Sequence, residues 1–566
     1  MNVPPQRPLP NAGDPALTEA LRPALACLSS DRAAEAVEIL TALTNRWPDQ
    51  PAVLLPLARA YHRAARYLPA LRTYDRLIEL GAADAAVWGE TGDALTDVGE
   101  YAQAIGAYEN SLAVDSTAAE ARHNLGRVQY RLGDLEGAVA NLREAAMTGG
   151  RLITWLALAT MIPGCPNATH QEILETRQSF AQRLSAESGS SGVAQPTGGR
   201  LAANGRLRIG YVSAYFHGTN YMKPVWGLIH HHDRSAFQIH LFSDSPAGSD
   251  LTGYEPQSDD KVHATGDLDN GALAERIQSA GIEILVDLNA YSTPERLGLF
   301  LRAPAPVTIA WFNMYATSAL PGVQYVVGDD IVVRPEEEAF YTEGVLRLPL
   351  SYLTFDVRHA APPVTSPPCL DNGYLTFGSL VAQYKMSRPV LDAWADLLRR
   401  VPSARLMLAN SALKSRYNQQ YVVQQFTDRG IDAERLVLQG PAEHYAYLQY
   451  YDQMDVALDA FPYNGGTTTM EAIWQGVPVL TYDGDRWASR TSASLLRRSH
   501  LSDFVVRSAK DYVEFAIELA ATPETPSRLE EIRSTLRQRL GTSSICNTPG
   551  LARSMEQIYR ELWNRV

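Results

Sequence analysis

A glycine-rich turn between two predicted strands carries the residues best suited to chemistry. The stretch Asp459–Gly476 reads DAFPYNGGTTTMEAIWQG: turn residues come first, then threonines that can each cap a helix, then its apolar positions. Such a turn collects unpaired backbone N–H groups at the positive end of a helix dipole, which suits a phosphate. Glu471 lies one turn into the helix, where its carboxylate can accept hydrogen bonds from a ribose. An ordinary helix N-cap explains the local pattern equally well.

This turn belongs to a predicted alternation of strands and helices that begins at Tyr374. The pattern is typical of a doubly wound sheet, in which ligands bind beyond the carboxyl ends of strands. Gln383–Lys385 and Asn464–Thr469 both follow such ends. The predicted strands are Tyr374–Leu380, Arg405–Ala409, Arg435–Gln439, Val456–Phe461, Val477–Tyr482 and Phe504–Val506, and the helices are Ser387–Arg400, Leu413–Arg429, Glu443–Tyr451, Thr468–Gln475 and Ser489–Ser499.

A similar alternation precedes it and predicts another parallel sheet. One helix of this part is predicted at Gly271–Ala280, and the Pro-rich passage His359–Asn372 is predicted to link the two halves. Two final helices, Pro526–Leu540 and Leu551–Arg565, follow the second sheet and can cross back to the first half. The strands predicted for the first half are Leu207–Val212, Phe237–Ser243, Ile282–Leu288, Val307–Phe312 and Val323–Val327.

An internal repeat dominates the first part of the chain. Small residues recur at two registers with a spacing of 34 and let paired helices pack closely, while a bulky third register fills the gap. The registers are Ala24, Ala58, Gly92 and Gly126; Ala36, Ala70, Ala104 and Ala138; and Leu40, Tyr74, Tyr108 and Leu142. The pattern predicts tetratricopeptide units across Leu17–Gly150, stacked into a solenoid with a concave binding face. Helices at Arg151–Met161 and His170–Leu184 are predicted to cap it.

Composition narrows the class of protein. A chain of 566 residues needs several domains, and 45% hydrophobic with 20% charged residues is typical of a globular protein. The net charge of −13 argues against nucleic acid or an anionic membrane as the main partner. The four cysteines are scattered, which indicates a reducing compartment and no structural zinc. With no apolar leader or long apolar run, the sequence predicts a cytoplasmic protein.

Four motifs resemble the O-linked N-acetylglucosamine transferase family. They are GYVSAYF at Gly210–Phe216, the strand at Ala303–Phe312, QYKMS at Gln383–Ser387 and YNGGTTTMEAIWQGVPVLT at Tyr463–Thr481, and WASRTSASLL at Trp487–Leu496 is also similar. The resemblance covers nearly the whole chain, including the order of its domains.

This resemblance implies an α-solenoid of tetratricopeptide repeats followed by a GT-B fold, in which two Rossmann-like α/β domains face each other across a cleft. It also implies inverting, metal-independent transfer of GlcNAc from UDP-GlcNAc to Ser or Thr hydroxyls of proteins. The expected domains are the repeats at 1–184, a linker at 185–205, the N-terminal catalytic domain at 206–358, a linker at 359–372, the nucleotide-sugar domain at 373–548 and a C-terminal helix at 549–566 that can pack on the N-terminal catalytic domain.

Residue roles follow from the same resemblance. Lys385 matches a catalytic lysine that contacts the diphosphate, and Thr467 and Thr468 match phosphate-binding residues at the helix start. Glu471 stands where the family usually has an aspartate on the ribose, and His444 matches a histidine near the uracil. Further donor-binding positions are Gln383, Asn464, Gly465 and Gly466. Viewed alone, Lys385 can be an exposed helix-start lysine and His444 a polar surface residue.

His217 follows the first motif and matches a catalytic histidine of the family, which usually lies slightly later. It can act as a general base or position the substrate, because histidine suits proton removal near neutral pH. The turn after the first strand is expected to face the cleft, with Tyr211, Tyr215 and Tyr221 beside His217 and with His217 as the one group there that titrates near pH 7. A loop histidine that only packs is the alternative.

Several positions depart from the family pattern. Gln383 is displaced by one position, Gly466 replaces a histidine, and NMYATSA at Asn313–Ala319 replaces a glycine-richer loop. Where eukaryotic relatives carry an asparagine ladder that grips peptides, the repeats have Pro56, Glu90 and Asn124. Donor sugar and acceptor range therefore stay open.

Short acidic and histidine runs do not predict a metal site. The DxD-like runs at Asp267–Asp269 and Asp483–Asp485 are common turn sequences, and HHHD at His230–Asp233 is expected to end a helix. No metal or cofactor is predicted; the expected partners are UDP-GlcNAc and a protein or peptide acceptor held by the repeat groove. The alternatives are an O-fucosyltransferase of the SPINDLY type that uses GDP-fucose, and a repeat scaffold with a non-catalytic nucleotide-binding half.

Overall fold

The computed structural model describes residues 15–189, 205–218, 221–245 and 249–566. Its internal contacts divide the chain into two compact units. The first comprises Met1–Gly150 with Lys414–Val422, and the second comprises Arg151–Leu413 and Val423–Val566. Within the described residues, none of the helices combines the length and the apolar character needed to cross a bilayer.

The first unit is a series of antiparallel helix pairs. Small residues let the helices of a pair approach closely: a Cβ added at Gly92 would lie 2.5 Å from the Tyr108 ring, and one at Gly126 would lie 2.8 Å from Cγ of Leu142. This confirms the predicted pairing of small and bulky registers. The helices are α1 (Pro15–Ser29), α2 (Ala33–Thr44), α3 (Pro51–Arg63), α4 (Tyr67–Glu79), α5 (Ala85–Asp97), α6 (Tyr101–Val114), α7 (Ala119–Leu132) and α8 (Leu135–Gly149).

Two helices predicted to cap the repeats belong to the second unit. α9 (Leu152–Met161) and α10 (His170–Glu187) pack against each other, and α10 begins with a capping box made by Thr169 and Glu172. The unit boundary thus falls at Gly150, whereas the sequence placed the end of the repeat domain at residue 184. Most of the predicted linker at 185–205 lies outside the described residues.

A seven-stranded parallel sheet forms the N-terminal half of the second unit, in the order β3-β2-β1-β4-β5-β6-β7. The central strands are buried on both faces, as parallel sheets require. The sequence missed β3 and β7, because both are edge strands without a continuous buried run. The strands are β1 (Leu207–Ser213), β2 (Phe237–Ser243), β3 (Lys261–Ala264), β4 (Ile284–Asp287), β5 (Val307–Ala310), β6 (Tyr325–Asp329) and β7 (Gly344–Leu348), with helices α11 (Lys223–His230) and α12 (Asn270–Ser279).

A six-stranded parallel sheet forms the C-terminal half, in the order β10-β9-β8-β11-β12-β13. All of its strands were predicted, although most are shorter than expected. They are β8 (Thr376–Ser379), β9 (Arg405–Ala409), β10 (Leu436–Gln439), β11 (Val456–Leu458), β12 (Val479–Tyr482) and β13 (Val505–Val506). The helices are α13 (Cys369–Asn372), α14 (Arg388–Arg400), α15 (Arg416–Thr427), α16 (His444–Leu448), α17 (Thr467–Trp474), α18 (Thr491–Arg497) and α19 (Ala509–Ala521).

The chain ends with α20 (Thr525–Leu540) and α21 (Thr548–Trp563). α21 packs on the N-terminal half, as the sequence suggested. The hydroxyl groups of Tyr559 and Tyr211 lie 2.9 Å apart, and Glu556 accepts a hydrogen bond from the Asp233 backbone at 2.7 Å. Tyr211 is therefore a buried strand residue bound to α21, and the expectation that it lies at the cleft rim is wrong.

Candidate active site

Two loops of the C-terminal half meet where the strand order reverses. β8 and β11 pair at the centre of the sheet, and the remaining strands extend outward from them on either side. Ligands of doubly wound sheets occupy the crevice at this point. The short helix Gln383–Lys385 follows β8, and the turn Asp459–Gly466 follows β11. The structure brings both segments to one crevice, as the sequence predicted.

Lys385 reaches across this crevice. Its Nζ donates a hydrogen bond to the backbone oxygen of Asn464 at 2.6 Å and lies 4.2 Å from the centroid of the Tyr463 ring. Burial lowers the pKa of Lys385 to about 8, against the opposing charge of Asp459. Because an ammonium group carries three donors, this contact leaves donors that an anion can use.

A buried carboxylate shapes the turn. Asp459 accepts hydrogen bonds from the backbone of Gly465 at 2.7 Å and of Ala460 at 3.0 Å, and from the Thr481 hydroxyl at 2.8 Å. Burial raises the pKa of Asp459, while these donors and the charge of Lys385 oppose the rise. The carboxylate therefore holds the turn closed and supplies the charge that Lys385 faces.

The start of α17 is open to a ligand. Gly466 is its N-cap residue and makes no side-chain capping bond, so the expectation that a threonine caps the helix is wrong. Thr467 and Thr468 instead occupy the first turn, where both are partly exposed and where backbone N–H groups have no partner within the helix. A Cβ at Gly465 would lie 2.6 Å from the hydroxyls of Thr468 and Thr469, whereas one at Gly466 has space.

The side chains of Gln383 and Asn464 are used inside the protein. Gln383 accepts a hydrogen bond from Asn410 at 3.1 Å. Asn464 donates to the backbone oxygen of Ala460 at 2.8 Å and accepts from the Ser492 backbone at 3.4 Å. These contacts indicate that both residues shape the crevice, and their contact with a donor stays a prediction.

Glu471 lies one turn further along α17 and is almost fully buried. It pairs with Lys223, whose Nζ is 2.6 Å away, and with Nε2 of His444 at 3.1 Å. Burial alone would raise the pKa of Glu471, but the hydrogen bond from His444 and the charge of Lys223 outweigh burial and lower it. The His359 ring packs edge-on against His444 with centroids 4.5 Å apart.

Lys223 belongs to the N-terminal half, and the sequence did not predict it as a site residue. It opens α11, whose sequence KPVWGLIH is otherwise mostly apolar. A lysine that is 5% exposed needs a partner for its charge. The signal in the sequence was a single lysine in an apolar helix, but no pattern indicated that its partner lay on the opposite half.

His217 follows β1 at the strand-order reversal of the N-terminal sheet, between β1 and β4. It is exposed, and its Nδ1 lies 3.1 Å from the Ser245 hydroxyl. The next turn residues, 219–220, are outside the described part. Tyr215 and Tyr221 stack with ring centroids 4.0 Å apart, and their expected position beside His217 stays a prediction.

A series of contacts joins this turn to the nucleotide crevice. Asn313 donates a hydrogen bond to the Tyr221 hydroxyl and accepts one from Tyr315 at 3.3 Å. The Tyr315 ring in turn meets Tyr463, beside Lys385, with centroids 5.2 Å apart. Side chains of the two halves therefore meet beside Lys385, and the position of His217 on the same cleft stays a prediction.

The loop after β5 carries backbone strain. Phe312, Asn313, Tyr315 and Ala319 all have positive φ, between 37° and 63°. Left-handed conformations of residues other than glycine cost free energy and often occur at functional sites. The loop therefore keeps a conformation that the surrounding contacts must enforce.

Two side chains, one from before the loop in the sequence and one from after it, hold the loop in this conformation. Arg177 of α10 is 2% exposed and donates to the Thr317 backbone oxygen at 2.6 Å. Glu343 accepts hydrogen bonds from the Thr317 hydroxyl at 2.7 Å and from the Ser318 backbone at 2.6 Å. The helix predicted to cap the repeats therefore supports the cleft.

A second titratable group lies at the N-terminal reversal point. Burial raises the pKa of Asp287 to about 6, although the backbone groups of Asn289 and Ala290 donate to it. The Asn289 side chain accepts from the Ala214 backbone at 2.8 Å, and its Nδ2 is buried without a partner among the described residues. The expectation that His217 is the one group of the rim to titrate near pH 7 stays a prediction, because Asp287 is buried beneath the rim.

The acidic runs and the histidine run have other roles. Asp269 caps α12 by accepting from the Ala272 backbone, and Asp483 pairs with Arg334 and Arg497. HHHD begins at the last residue of α11, as expected. Across the part of the chain that the structure describes, no three acidic, histidine or cysteine side chains cluster as metal ligands do.

The repeat unit has a groove of about 520 Å³. Two side chains at the register of the asparagine ladder are bound to neighbours. Glu90 pairs with Arg59 at 2.7 Å, and Asn124 donates to Asp93 at 2.8 Å. The carboxylates lining the groove are Asp84, Glu90, Asp93, Asp115 and Glu120.

Two parallel α/β domains that contact each other across a cleft are the architecture of the GT-B class of glycosyltransferases. The model of glycosyl transferase family 41 matches residues 195–366 and 368–555, and that of a TPR repeat matches residues 92–133. The chain therefore belongs to glycosyl transferase family 41.

A solved structure supports the fold along most of the chain. A single-residue mutant of Thermobaculum terrenum O-GlcNAc transferase is 27% identical, with a TM-score of 0.76, and the match covers 90% of this chain and 96% of that one.

Curated relatives match 63% of the chain. A probable UDP-N-acetylglucosamine–peptide N-acetylglucosaminyltransferase SPINDLY of Oryza sativa subsp. japonica is 31% identical over 63% of this chain and 39% of its own length. The corresponding SEC protein of Arabidopsis thaliana is 26% identical over 63% of this chain and 37% of its own length. The chain thus spans about two fifths of the length of these relatives.

Proposed function

We propose that this protein transfers GlcNAc from UDP-GlcNAc to serine or threonine hydroxyls of a protein, with inversion and without a metal. The observation that carries the proposal is the meeting of Lys385 with the uncapped start of α17 at one reversal point. The names of the relatives and of the solved neighbour support the choice of donor and acceptor.

The chemistry requires stabilisation of the leaving group. As the acceptor oxygen bonds to the anomeric carbon, the bond to the diphosphate breaks and negative charge grows on UDP. The Lys385 ammonium and the N–H groups at Thr467 and Thr468 are oriented to receive that charge. Losing one such contact typically slows a reaction by about 10²–10³-fold.

The remaining roles complete the site. Glu471 accepts hydrogen bonds from the ribose, His444 lies near the base, and Gln383, Asn464, Gly465 and Gly466 shape the diphosphate pocket. His217, on the opposite half, takes the acceptor proton or orients the acceptor. The repeat groove recruits the acceptor, and the free cysteines of the described chain are consistent with the cytoplasm.

Transfer from GDP-fucose is the second candidate. It is favoured by Gly466, which stands where the family usually has a histidine before the two threonines. The lack of a side chain there enlarges the pocket in which the donor would lie.

A donor screen tests these proposals. Hydrolysis of UDP-GlcNAc, GDP-fucose and other nucleotide sugars is measured together with calorimetric binding of UDP and GDP. UDP binding with UDP-GlcNAc hydrolysis is expected. GDP binding with GDP-fucose hydrolysis would identify GDP-fucose as the donor instead. Binding of neither nucleotide would indicate a non-catalytic scaffold.

Two further arms test the mechanism in the same assay. Lys385→Ala is expected to lose about 2–4 kcal/mol of transition-state stabilisation while remaining folded; turnover at the wild-type rate would remove Lys385 from the site. Activity in excess EDTA is expected to be unchanged. A loss that Mn²⁺ or Mg²⁺ restores would exclude the metal-independent mechanism.

A further inference from the structure

A buried ion pair joins the two halves inside the donor crevice. Lys223 belongs to the N-terminal half and Glu471 to the C-terminal half, and both are more than nine-tenths buried. Their charged atoms lie 2.6 Å apart. The Lys223 ammonium also lies 3.4 Å from Nε2 of His444, so three groups from three elements converge on one point.

The two oxygens of Glu471 have different surroundings. Oε1 takes the bonds from Lys223 and His444. Oε2 takes none from the described residues, and it is not among the buried polar atoms that lack partners. A carboxylate oxygen only accepts hydrogen bonds, so Oε2 keeps lone pairs for a hydroxyl donor.

The position of Oε2 suits the sugar of a nucleotide. Glu471 follows Thr467 by four residues and shares its face of α17, about 6 Å further along the helix. A ribose lies next to the diphosphate by covalent connection. A diphosphate at the start of α17 therefore places its ribose beside Glu471.

We propose that Lys223 is a positioning residue for the donor ribose, which holds the Glu471 carboxylate ionised and oriented so that Oε2 accepts the ribose hydroxyls. This inference rests on the proposed function and adds to it a residue of the opposite half. Burial of Glu471 alone favours the neutral acid, which would turn one of the two acceptor oxygens into a hydroxyl donor. Ribose recognition is then complete only when the two halves are together.

The test measures discrimination between ribose and dideoxyribose. Calorimetry compares UDP with 2′,3′-dideoxy-UDP, and GDP with 2′,3′-dideoxy-GDP, on the full chain. The wild type is expected to prefer the ribonucleotide by about 10–100-fold, the range for hydrogen bonds to a charged group. Lys223→Met is expected to reduce this ratio at least about 5-fold, because it removes part of the preference that hydrogen bonds to the charged carboxylate produce.

Three variants show how Lys223 acts. Lys261→Met is the control. It removes an exposed lysine from β3, an edge strand of the N-terminal sheet, and is expected to keep the wild-type ratio. Glu471→Gln is expected to lower the ratio, and adding Lys223→Met to it is expected to lower the ratio no further. The double variant has no unpaired buried charge, so it also separates loss of positioning from loss of folding.

The outcomes distinguish this inference from the proposed function. An unchanged ratio in folded Lys223→Met, or equal weakening of ribo- and dideoxynucleotide, would overturn the role of Lys223 while leaving nucleotide binding intact. Additive effects in the double variant would show that Lys223 does not act through Glu471. If the wild type binds neither UDP nor GDP, the proposed function fails first and the inference with it.

Discussion

Lys385 shows how a single residue can link the site to pH. Its ammonium is hydrogen-bonded to a carbonyl oxygen, and burial lowers its pKa to about 8 from a usual value of 10.5. Below pH 8 the group is charged and matches a diphosphate. Above it the free protein loses that charge, although Asp459 and the ligand both favour the charged form.

We therefore predict that UDP affinity falls as the pH rises through 8. Calorimetry between pH 7 and 9.5 is expected to show a loss of up to about tenfold per pH unit, as linkage requires of one proton. Proton uptake on binding is expected near pH 8.5. Lys385→Arg keeps its charge over this range and is expected to bind UDP without the pH dependence. If the affinity of the arginine variant falls in the same way, a group other than Lys385 causes the fall.

His217 gives the second prediction at this scale. His217→Ala is expected to bind UDP within a few-fold of the wild type and to transfer sugar at least about 10²-fold more slowly, because the acceptor loses its base or its orienting group. Single-turnover transfer beside UDP calorimetry measures both effects.

The variant His217→Asn separates the two roles. The asparagine amide can keep a hydrogen bond to Ser245, which Nδ1 of the histidine makes in the wild type, but it does not titrate. Transfer near the wild-type rate by His217→Asn would indicate positioning, and a loss equal to that of His217→Ala would indicate a base. Normal transfer by both variants would make His217 a loop residue without a role in the reaction.

At the scale of elements, the two glycines before α17 differ in what they permit. A Cβ at Gly465 conflicts with the hydroxyls of Thr468 and Thr469, while the position of Gly466 is open. Gly465→Ala is expected to weaken UDP binding about tenfold or more, since the turn must move by the amount needed to relieve the clash. Gly466→Ala lacks this clash and is expected to weaken UDP binding less than Gly465→Ala, and UDP calorimetry on both variants is the measurement. Equal affinities of the two variants would contradict the fit of the turn.

The loop after β5 stores strain at a position without glycine. Ala319 has φ of 56°, a conformation that costs alanine about 1–2 kcal/mol. Ala319→Gly is expected to raise the free energy of unfolding by about 0.5–1 kcal/mol after the entropy lost by glycine. Chemical denaturation provides the comparison with Ala316→Gly, which has no such strain to release and is expected to destabilise the protein. Destabilisation by both would show that Ala319 is unstrained.

At the scale of the whole molecule, the proposed function assigns recruitment of the acceptor and chemistry to different parts of the chain. The groove of the repeat unit is lined by carboxylates, while the nucleotide residues lie in the α/β halves. Electrostatic attraction then favours acceptors with basic segments, and it weakens with salt.

We predict that reversing groove charge impairs protein transfer alone. Asp115→Lys with Glu120→Lys, at two exposed groove positions, is expected to lower transfer to a protein acceptor about tenfold, in the range of rim charge effects on association, and to leave hydrolysis of UDP-GlcNAc unchanged. Glu109→Lys, which is exposed outside the groove lining, serves as the control. Loss of hydrolysis in the groove variant would contradict the division of roles.

The sequence by itself determined the repeat helices, the strands of the C-terminal sheet and the order of these parts along the chain. The spacing of 34 residues and its registers predicted the helix pairs, because the packing of Gly92 against Tyr108 involves residues that are close in the sequence. Apolar runs with turn residues predicted every strand of the C-terminal sheet, and strand order at its centre brought Lys385 to the turn before α17. These features depend on residues close in sequence or on general rules of parallel sheets.

Tertiary structure decided what depends on long-range proximity and burial. Lys223 and Glu471 are distant in sequence, and only the meeting of the two halves makes them a pair. Burial of Asp287 raises its pKa to about 6, and contacts of Arg177 and Glu343 impose the strained loop. Sequence patterns record which groups are polar, but desolvation and the direction of a charge depend on every element packed around them, so these features became visible only in the folded chain.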